Sequence, residues 1–599
     1  MSLKVILDNF RLSADQGWVV LGILALIVLS QVILGAILKQ IFGKQLTSNE
    51  YFALSMAGWI LPASLIALLW LLPGFQPPTQ FNIPLIILIS LGVLFLMRLK
   101  SDPAPDSKPI FLFLLLFVSI SILLRLAFVS RAVLPSYFDS AQHYLLIKSI
   151  LEKGASAVVF TLPANYYHMG YHFLTTFVVS TLQADIAQSM LILGQMTLAV
   201  MPISVFFLIK HITRSNWAGI FAMLLAAWGW YMPAHAVDWG KYPALVSIGL
   251  IPFVLSLAYL FVENKDTFSL RKRSALYGLL GVCVFISVFI HSRSLVIFAI
   301  AFLAWVIAAW QQKRPQGQRY FMVLIVLIAS VLEIIYVQKQ EILALVFDPY
   351  LHKGVLVTAL VLFLYLFAQG NYPQLTFACI LAVCFLLGSL VVPVVGLIPG
   401  HDNLTLLDRP FVEMILYLPL SLLAGLGLAG LEKNLQQRQV RVISRNGYVG
   451  VFAIGLVLMN AFATYGLYPS DCCVLAGHAD VAAMDWMAEQ LPEDARIGIA
   501  TTELKVMVLE SFEGVVGSDA GIWITPLINR ITIPLIYSSE FEQQATLNGL
   551  CQTGINYLYV GEMGQNFNDA QLSAHPDWYR ILLAMPQVQV YQVVGCDEK

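Results

Sequence analysis

The stretch 131–172 holds side chains that could move a proton: Asp139, His143, His168 and His172 lie there between two long apolar segments. Asp139 and His143 are four residues apart in a segment, Phe138–Lys153, whose apolar spacing and following Gly154 predict a short amphipathic helix. The two side chains would then share one helix face, one turn apart. A carboxylate beside an imidazole is suited to general-base chemistry, in which it takes a proton from a hydroxyl group.

A second set of residues, in later loops, supplies fixed cations together with further acids and imidazoles. Cations of this kind could stabilise the negative charge of a leaving phosphate. The candidate phosphate-binding residues are Lys241, Arg293 and Arg409, and the further site candidates are Asp238, His291 and His401, with Asp402 and Asp408 close by in sequence.

Each of these residues also has a simpler interpretation. Asp139 followed by Gln142 forms a helix capping box, which needs no chemistry. Lys241 and Arg409 could anchor the chain at a membrane interface, and Arg293 could cap the end of a helix. Loops are also polar in most proteins, so the position of these loops has to decide between the interpretations.

Composition indicates a protein that crosses a membrane many times. Of the 599 residues 59% are hydrophobic and only 12% are charged, and the mean hydropathy is +0.78; soluble domains are roughly a quarter charged. We therefore predict a polytopic α-helical membrane protein with about 14 transmembrane helices. The predicted segments are 18–38, 51–72, 81–97, 110–130, 184–209, 216–232, 243–262, 275–291, 294–310, 320–337, 355–368, 374–397, 411–431 and 447–467. No cleavable signal peptide is evident before the first of them.

The basic residues orient these helices. One set of alternate loops holds 18 Lys and Arg residues, and the other set, with the N-terminal stretch, holds 10. By the positive-inside rule the first set is cytoplasmic, which places the loop 131–183 and both termini on the extracytoplasmic side. The expected location is the bacterial plasma membrane. The helix Phe138–Lys153 is too short to span and is expected to lie along the membrane surface.

The sequence pattern of residues 470–599 predicts a soluble α/β domain. It is acidic, with 17 Asp and Glu against 5 Lys and Arg, which argues against nucleic-acid binding. Helices are predicted at Ala479–Gln490 and Phe541–Cys551, and strands at Arg496–Ala500, Ile531–Ile536, Asn556–Val560 and Val588–Val593. We expect Trp523 to be a core or interface residue.

Four cysteines lie in this domain: Cys472, Cys473, Cys551 and Cys596. We predict one bridge between the pair Cys472/Cys473 and either Cys551 or Cys596, because a bond between adjacent cysteines is strained. No ligand spacing indicates a structural zinc site. A divalent metal at the candidate site is compatible with the sequence but not required by it.

We expect an apolar helical bundle with a carboxylate, imidazoles and cations at one end. Such a site suits a substrate with a lipid tail and a phosphate. Transfer of a sugar from a polyprenyl-phosphate donor needs a base for the acceptor hydroxyl, cations for the leaving phosphate and a membrane groove for the isoprenoid. The first role would fall to Asp139, and the second to Lys241, Arg293 and Arg409.

Several motifs resemble the GT-C superfamily of integral-membrane, polyprenyl-phosphate-sugar-dependent glycosyltransferases. They are Arg125, Pro135, Asp139 and His143 followed by YYHMGYHF (166–173), then DWGKYPAL (238–245) and DRPFVEMILYLPLSLLAG (408–425). The resemblance runs over most of the chain from about residue 110. It implies that Asp139 is catalytic, that Arg409 meets the donor phosphate, and that the tail is the soluble domain many members carry.

Two departures from the family pattern stand out. Members often carry a second acid directly after the Asp, where this chain has Ser140, and this puts metal dependence in doubt. The catalytic loop usually follows the first helix, whereas here three predicted helices precede the helix that leads into it. We therefore divide the chain into accessory helices (1–109), a GT-C-like catalytic domain (110–469) and an extracytoplasmic domain (470–599).

Three functions remain open at this point. The first is a transferase with a polyprenyl-phosphate sugar donor and a protein, lipid or glycan acceptor. The second is a non-catalytic membrane subunit of the same fold that docks partners through its C-terminal domain. The third is a transporter or lipid flippase, which the position of the polar residues at one membrane face disfavours, since transporters bind near mid-membrane.

Overall fold

The computed structural model describes residues 11–70, 107–154, 168–338, 342–352, 354–393, 405–438, 447–506 and 514–596. Most of these residues form helices that pack side by side, and a small mixed sheet follows them at the C-terminus. The predicted segment 81–97 and the candidate His401 lie outside the described residues.

The helical part is built from nineteen described helices, α1 to α19. They are α1 (Ala14–Phe42), α2 (Ser48–Ala57), α3 (Ile60–Trp70), α4 (Ser107–Val129), α5 (Phe138–Lys153), α6 (Gly170–Leu182), α7 (Ile186–Val200), α8 (Pro202–Thr213), α9 (Asn216–Leu224), α10 (Tyr242–Asn264), α11 (Leu270–Ile290), α12 (Ser294–Gln312), α13 (Gln316–Gln338), α14 (Ile342–Leu351), α15 (Val355–Asn371), α16 (Pro373–Gly388), α17 (Arg409–Ile415), α18 (Tyr417–Gln437) and α19 (Tyr448–Thr464).

Several of these helices are long and apolar enough to cross a membrane, so the chain is a polytopic helical membrane protein. Within the described ranges there are eight such helices, or up to ten if each of two bent pairs, α2 with α3 and α14 with α15, forms one span. Helices also lie at the other predicted segments that the structure describes, although α16 and α19 are shorter. The count of about 14 stays a prediction.

The core of the bundle is α7. All of its residues except Gln188 are buried, and it packs against α1, α4, α5, α6 and α10. The N-terminal helices share this core: Gly22 of α1 packs closely against Leu182, and Gly58 packs against Leu34 and Phe253. Large apolar side chains on the outside of the bundle, such as Leu112, Phe302 and Phe462, are exposed, as expected for surfaces that face lipid.

The C-terminal domain is the predicted α/β unit. Its strands are β1 (Arg496–Val506), β2 (Gly514–Gly517), β3 (Ile531–Ile536), β4 (Tyr557–Val560), β5 (Tyr579–Ala584) and β6 (Gln589–Val593), and its helices are α20 (His478–Gln490), α21 (Ile524–Ile528), α22 (Gln544–Thr553) and α23 (Asp569–Ala574). The sheet runs in the order β2-β1-β4-β6-β5, with β3 parallel to β1. The four predicted strands are present. The sequence prediction missed the short β2 and the edge strand β5, on which Ile581 is exposed.

The predicted disulfide is wrong. Cys551 pairs with Cys596, whose Cα atoms are 5.5 Å apart, and Cys472 pairs with its neighbour Cys473. The physical reason is location, since Cys551 and Cys596 lie together beside one apolar cluster of the sheet domain. The adjacent pair lies in the linker, where the carbonyl of Cys473 accepts a hydrogen bond from Tyr137 at the start of α5.

Candidate functional site

Helix α5 has the predicted bounds, Phe138–Lys153, and ends at Gly154, which has a positive φ of 78°. Its N-cap residue is Tyr137, with no side-chain capping bond, so the capping interpretation of Asp139 does not hold. Tyr137 has a φ of 67°, which is uncommon for a residue with a side chain. Its N–H donates to the carbonyl of Cys473 at 2.9 Å. The start of α5 is thus held by the linker to the C-terminal domain.

Asp139 forms an ion pair with Lys241, the residue just before α10. Gly240 makes this approach possible because it has a φ of +62° and lies against the start of α5. A Cβ at Gly240 would lie 2.5 Å from Ser140 Oγ and 3.0 Å from the Ser136 carbonyl. Ser140 is fully buried and donates to that same carbonyl at 2.5 Å. Ser140 is therefore a buried, hydrogen-bonded contact between α5 and the loop before α10.

Two further ion pairs lie at the same end of the bundle. Arg293 Nη1 donates to Asp408 Oδ2 at 2.5 Å, and Arg409 Nε lies 3.3 Å from Glu413 Oε1. The Asp139–Lys241 and Arg293–Asp408 pairs are close enough to influence each other, because the charges of Arg293 and Asp408 both act on Lys241. Burial, the largest single influence, lowers the pKa of Lys241, but the charge and hydrogen bond of Asp139 together with the charge of Asp408 outweigh it, and the pKa is raised.

The pKa of Tyr137 is shifted by charges from both sets of ion pairs. Burial raises the pKa of its hydroxyl, the charge of Asp139 raises it further, and the charges of Lys241 and Arg409 lower it. Asp139, Lys241 and Arg409 thus all lie within electrostatic reach of one tyrosine. We call this group, with Arg293, Asp408 and the histidines described next, the Asp139 cluster.

Four histidines complete the Asp139 cluster. Nδ1 of His143 lies 3.1 Å from Nε2 of His172, and the ring centroids of His168 and His291 are 4.1 Å apart. Burial, with neighbouring charge, lowers the pKa of His143 and of His168 to about 3 and that of His291 well below its usual value. These imidazoles are therefore neutral at pH 7, and they surround the ion pairs with polar groups that carry no net charge.

The candidate residue Asp238 forms its hydrogen bonds with a different set of residues. Its Oδ2 is 2.7 Å from His235 Nδ1, and its Oδ1 accepts the N–H of Ser470 at 3.0 Å. Both partners belong to the loop before α10 and to the linker after α19, so Asp238 ties these two segments together. The sequence grouped Asp238 with the other candidates because it lies three residues before Lys241, but its carboxylate bonds to His235 and Ser470 instead.

One group in the described part of the chain could hold a metal ion: His235, Cys472 and Cys473, whose ligand atoms lie within 4.8 Å of one another. The two sulfur atoms are joined in a disulfide here, and a disulfide sulfur is not the thiolate that binds metals. Sequence spacing could not show this group, since His235 is far from the cysteines along the chain.

The C-terminal domain contacts the far side of α5. Lys148 Nζ donates to the Pro526 carbonyl and to Asn529 Oδ1, both at 2.8 Å. Trp523 is fully buried and meets the ring of Tyr144 edge-on at 5.7 Å. These contacts agree with the interpretation of Trp523 as a core or interface residue. The helix that carries Asp139 therefore lies between the bundle and the soluble domain.

Sequence reasoning did not single out Tyr137, Gly240 or the pairing role of Asp408. A glycine directly before Lys241 was a usable signal for a close backbone approach. Asp408 stood directly before Arg409, but nothing local indicated that it would pair with Arg293 across 115 positions.

The comparisons with known proteins decide the family. A model described as a family of unknown function, DUF6541, matches residues 11–395. The chain belongs to this family. The match covers Asp139, Lys241, His291 and Arg293, whereas Arg409 and the soluble domain lie beyond it. No curated protein matches the chain.

Proposed function

We propose that this DUF6541 member is a GT-C-type glycosyltransferase that moves a sugar from a polyprenyl-phosphate donor to an acceptor on the extracytoplasmic side. One observation carries the proposal: Asp139, in the first turn of α5, pairs with Lys241 within a group of charges that includes Arg293 and Arg409, at one end of the apolar bundle. A carboxylate and three cations at a membrane face suit a lipid-linked phosphate substrate better than a soluble one.

In the proposed reaction Asp139 takes the proton of the acceptor hydroxyl as its oxygen attacks the anomeric carbon. The bond between that carbon and the phosphate oxygen breaks, and polyprenyl phosphate leaves with the electron pair. Lys241, Arg293 and Arg409 stabilise the leaving phosphate. A donor phosphate bound to Lys241 would compete with Asp139 for this cation and so release the carboxylate to act as a base.

The buried histidines have a positioning role in this proposal. His143 lies one helical turn after Asp139 and is held by His172. Because burial holds the pKa of His143 at about 3, it does not compete with Asp139 as a charged group at pH 7. His168, His172 and His291 extend this neutral wall toward Arg293. None of these proposed steps requires a metal ion.

The isoprenoid of the donor would lie against the outer surface of α11 and α12. These helices flank His291 and Arg293 and expose large apolar side chains, among them Phe285 and Leu295. Inside the bilayer this apolar chain would exchange contacts with lipid tails for contacts with these side chains, at little cost in free energy.

The test is transfer of a labelled sugar from polyprenyl phosphate in proteoliposomes that contain Asp139→Asn. Asn keeps the shape of the side chain and removes its basicity, so we expect the rate to fall by about 10²–10⁴-fold. The matched control is Asp185→Asn. Asp185 caps α7 outside the Asp139 cluster, and Asn caps equally well, so this variant should turn over like the wild type.

A non-catalytic docking subunit is the second candidate, and the contacts of Lys148 and Tyr144 of α5 with the soluble domain favour it. Mass spectrometry of the purified protein separates the two. Bound polyprenyl phosphate together with a dead Asp139→Asn variant supports the transferase. Wild-type turnover by the Asn variant would rule out Asp139 as the base, and no turnover or bound lipid in the wild type would favour the docking subunit. Movement of labelled lipid between leaflets without sugar transfer would instead indicate a flippase.

A further inference from the structure

Arg125 is a buried cation about one turn before the end of α4, outside the Asp139 cluster. Its residue is 4% exposed, and within the described chain its Nη2 has no hydrogen-bond partner. The ring of Tyr465 lies 4.8 Å from its guanidinium carbon. A guanidinium has five N–H donors, and leaving a buried charged donor without an acceptor is costly. A structure that keeps this group buried needs an acceptor for it.

The neighbouring carboxylate does not fill this need. Asp238 stabilises the charge of Arg125 through space, but its two oxygens bind His235 and the Ser470 N–H. A second cation, the exposed Arg131, lies over the ring of Tyr468 at 5.6 Å, and Tyr468 lines the same region. Within the described chain Arg125 Nη2 lacks an acceptor, while both oxygens of Asp238 already bind other groups. A ligand here would therefore supply acceptor atoms and negative charge.

A cavity of about 170 Å³ is present at this place. Its walls come from three parts of the chain: α4, the loop before α10, and the linker after α19. The lining side chains that the argument uses are Arg125, Tyr231, His235, Asp238, Tyr465 and Tyr468. A water molecule takes up about 30 Å³ in the liquid, so this volume holds several waters or one tetrahedral oxyanion with its immediate substituents.

We propose that this cavity binds a phosphate group, with Arg125 as its direct partner. Arg125 lies four residues before the end of α4, about 6 Å along the helix axis. This depth, close to the membrane surface, suits either the phosphate of a lipid headgroup or free phosphate from the aqueous side. The cavity shares no lining residue with the Asp139–Lys241 and Arg293–Asp408 pairs, so this proposal does not depend on the proposed transferase activity.

The first arm of the test uses inorganic phosphate. The full-length protein, in a phosphate-free detergent, is titrated with phosphate at constant ionic strength, and its Tm is followed. Binding to the folded state raises Tm with ligand concentration. Two variants remove the site in different ways: Arg125→Gln removes the cation, and Gly466→Leu fills the cavity, where a Cβ has no atom within 4 Å. Each should weaken binding at least about tenfold.

The matched control is Gly455→Leu. Gly455 is also a position where a Cβ meets no atom within 4 Å, but it lies on the exposed face of α19 and does not line the cavity. It should bind phosphate like the wild type. Gly466→Leu keeps the test valid if Arg125→Gln fails to fold.

The second arm uses micelles that contain phosphatidylglycerol or an uncharged galactolipid, followed by native mass spectrometry. Retention of phosphatidylglycerol, reduced in Gly466→Leu but not in Gly455→Leu, identifies a lipid headgroup as the source. A response to inorganic phosphate with no lipid retained identifies the free anion. Binding of neither probe by the wild type, or equal binding by all variants, overturns the proposal and leaves a water-filled cavity.

Discussion

Helix α10 carries a cluster of charged groups at each end, and the two clusters differ in how their charges are satisfied. Lys241 of the Asp139 cluster directly precedes the helix, and Glu263 lies in its last turn. The 22 residue steps from Lys241 to Glu263 correspond to about 33 Å along a helix, close to the thickness of the hydrocarbon core of a bilayer.

We call the second group the Glu50 cluster: Glu50, Lys210, His211, Arg214 and Glu263. Glu50 is 1% exposed, lies 2.8 Å from Lys210 Nζ and 3.1 Å from His211 Nδ1, and caps α2 through Thr47. The other ring nitrogen of His211 lies 2.7 Å from Glu263, which also pairs with Arg214 at 3.6 Å. Every charge in this group has a partner inside the protein, which is the pattern of a structural staple.

The Asp139 cluster is different because its central ion pair is partly exposed, whereas the side chains of Glu50 and Lys210 are 2% and 15% exposed, and because one of its imidazoles is incompletely bonded in the described part of the chain. The side chains of Asp139 and Lys241 are 21% and 29% exposed, and within the described residues the buried Nδ1 of His291 has no hydrogen-bond partner. The same residue types therefore hold the fold together at one end of α10, and at the other end leave bonding capacity for a ligand.

The orientation of the two clusters gives an all-or-none prediction. Single cysteines are placed at exposed Gln318, on the side of the Glu50 cluster, and at exposed Ser538 of the soluble domain. A membrane-impermeant thiol reagent added to intact cells should label the cysteine at 538 and leave the one at 318 unlabelled until the cells are lysed. The reverse pattern would place the Asp139 cluster on the cytoplasmic side.

Conservative neutralisation of one acid in each cluster should separate stability from activity. Glu50→Gln leaves Lys210 and His211 without their buried anion, which we expect to cost roughly 3–5 kcal/mol. Asp139→Asn should change Tm little, because Lys241 retains access to solvent, while it removes sugar transfer. Thermal unfolding in detergent measures both variants. A large loss of Tm in Asp139→Asn with no loss in Glu50→Gln would reverse the assignment.

The close approach at Gly240 offers a smaller structural effect within the Asp139 cluster. Gly240→Ala places a Cβ 2.5 Å from Ser140 Oγ in addition to the strain of a φ of +62°. Gly154→Ala is the control, since Gly154 also has a positive φ but a Cβ there meets no atom within 4 Å. Strain alone costs about 1–3 kcal/mol. We expect Gly240→Ala to lower Tm more than Gly154→Ala and to impair transfer by displacing Lys241.

Acidification should weaken the Asp139 end of the bundle before the rest. The unfolded chain protonates histidine below about pH 6.5, whereas burial keeps the pKa of His143 and His168 at about 3 in the folded protein. Their contribution to stability is therefore complete above about pH 6.5 and is lost as the pH falls toward 3, by up to about 1.4 kcal/mol per pH unit for each histidine.

Hydrogen exchange of α5 and α6 between pH 7 and pH 5 measures this effect locally. A local probe is needed because burial raises the pKa of Asp480 and Asp519 in the soluble domain, where acidification acts in the opposite direction. His143→Gln should make the pH dependence shallower. Protection that does not change down to pH 5 would contradict neutral, buried imidazoles.

The sequence was most informative where local rules apply. Apolar runs located the helices, and the spacing after Phe138 with Gly154 behind it predicted the bounds of α5 correctly, because periodicity and a glycine stop act within a few residues. The four predicted strands of the soluble domain are present for the same reason. The capping role considered for Asp139 was wrong, since a cation 102 positions away binds that carboxylate instead.

What the tertiary structure alone decided is which polar groups meet. The chain brings Lys241 to Asp139, and Arg293 to Asp408, through helix packing that no local spacing encodes. It also ties Asp238 to Ser470 of the distant linker and joins Cys472 to Cys473 instead of to the sheet domain. The physical reason is that the apolar repeat of a sequence shows which face of its own helix a residue occupies. The partner of that residue depends on how whole helices pack around α7.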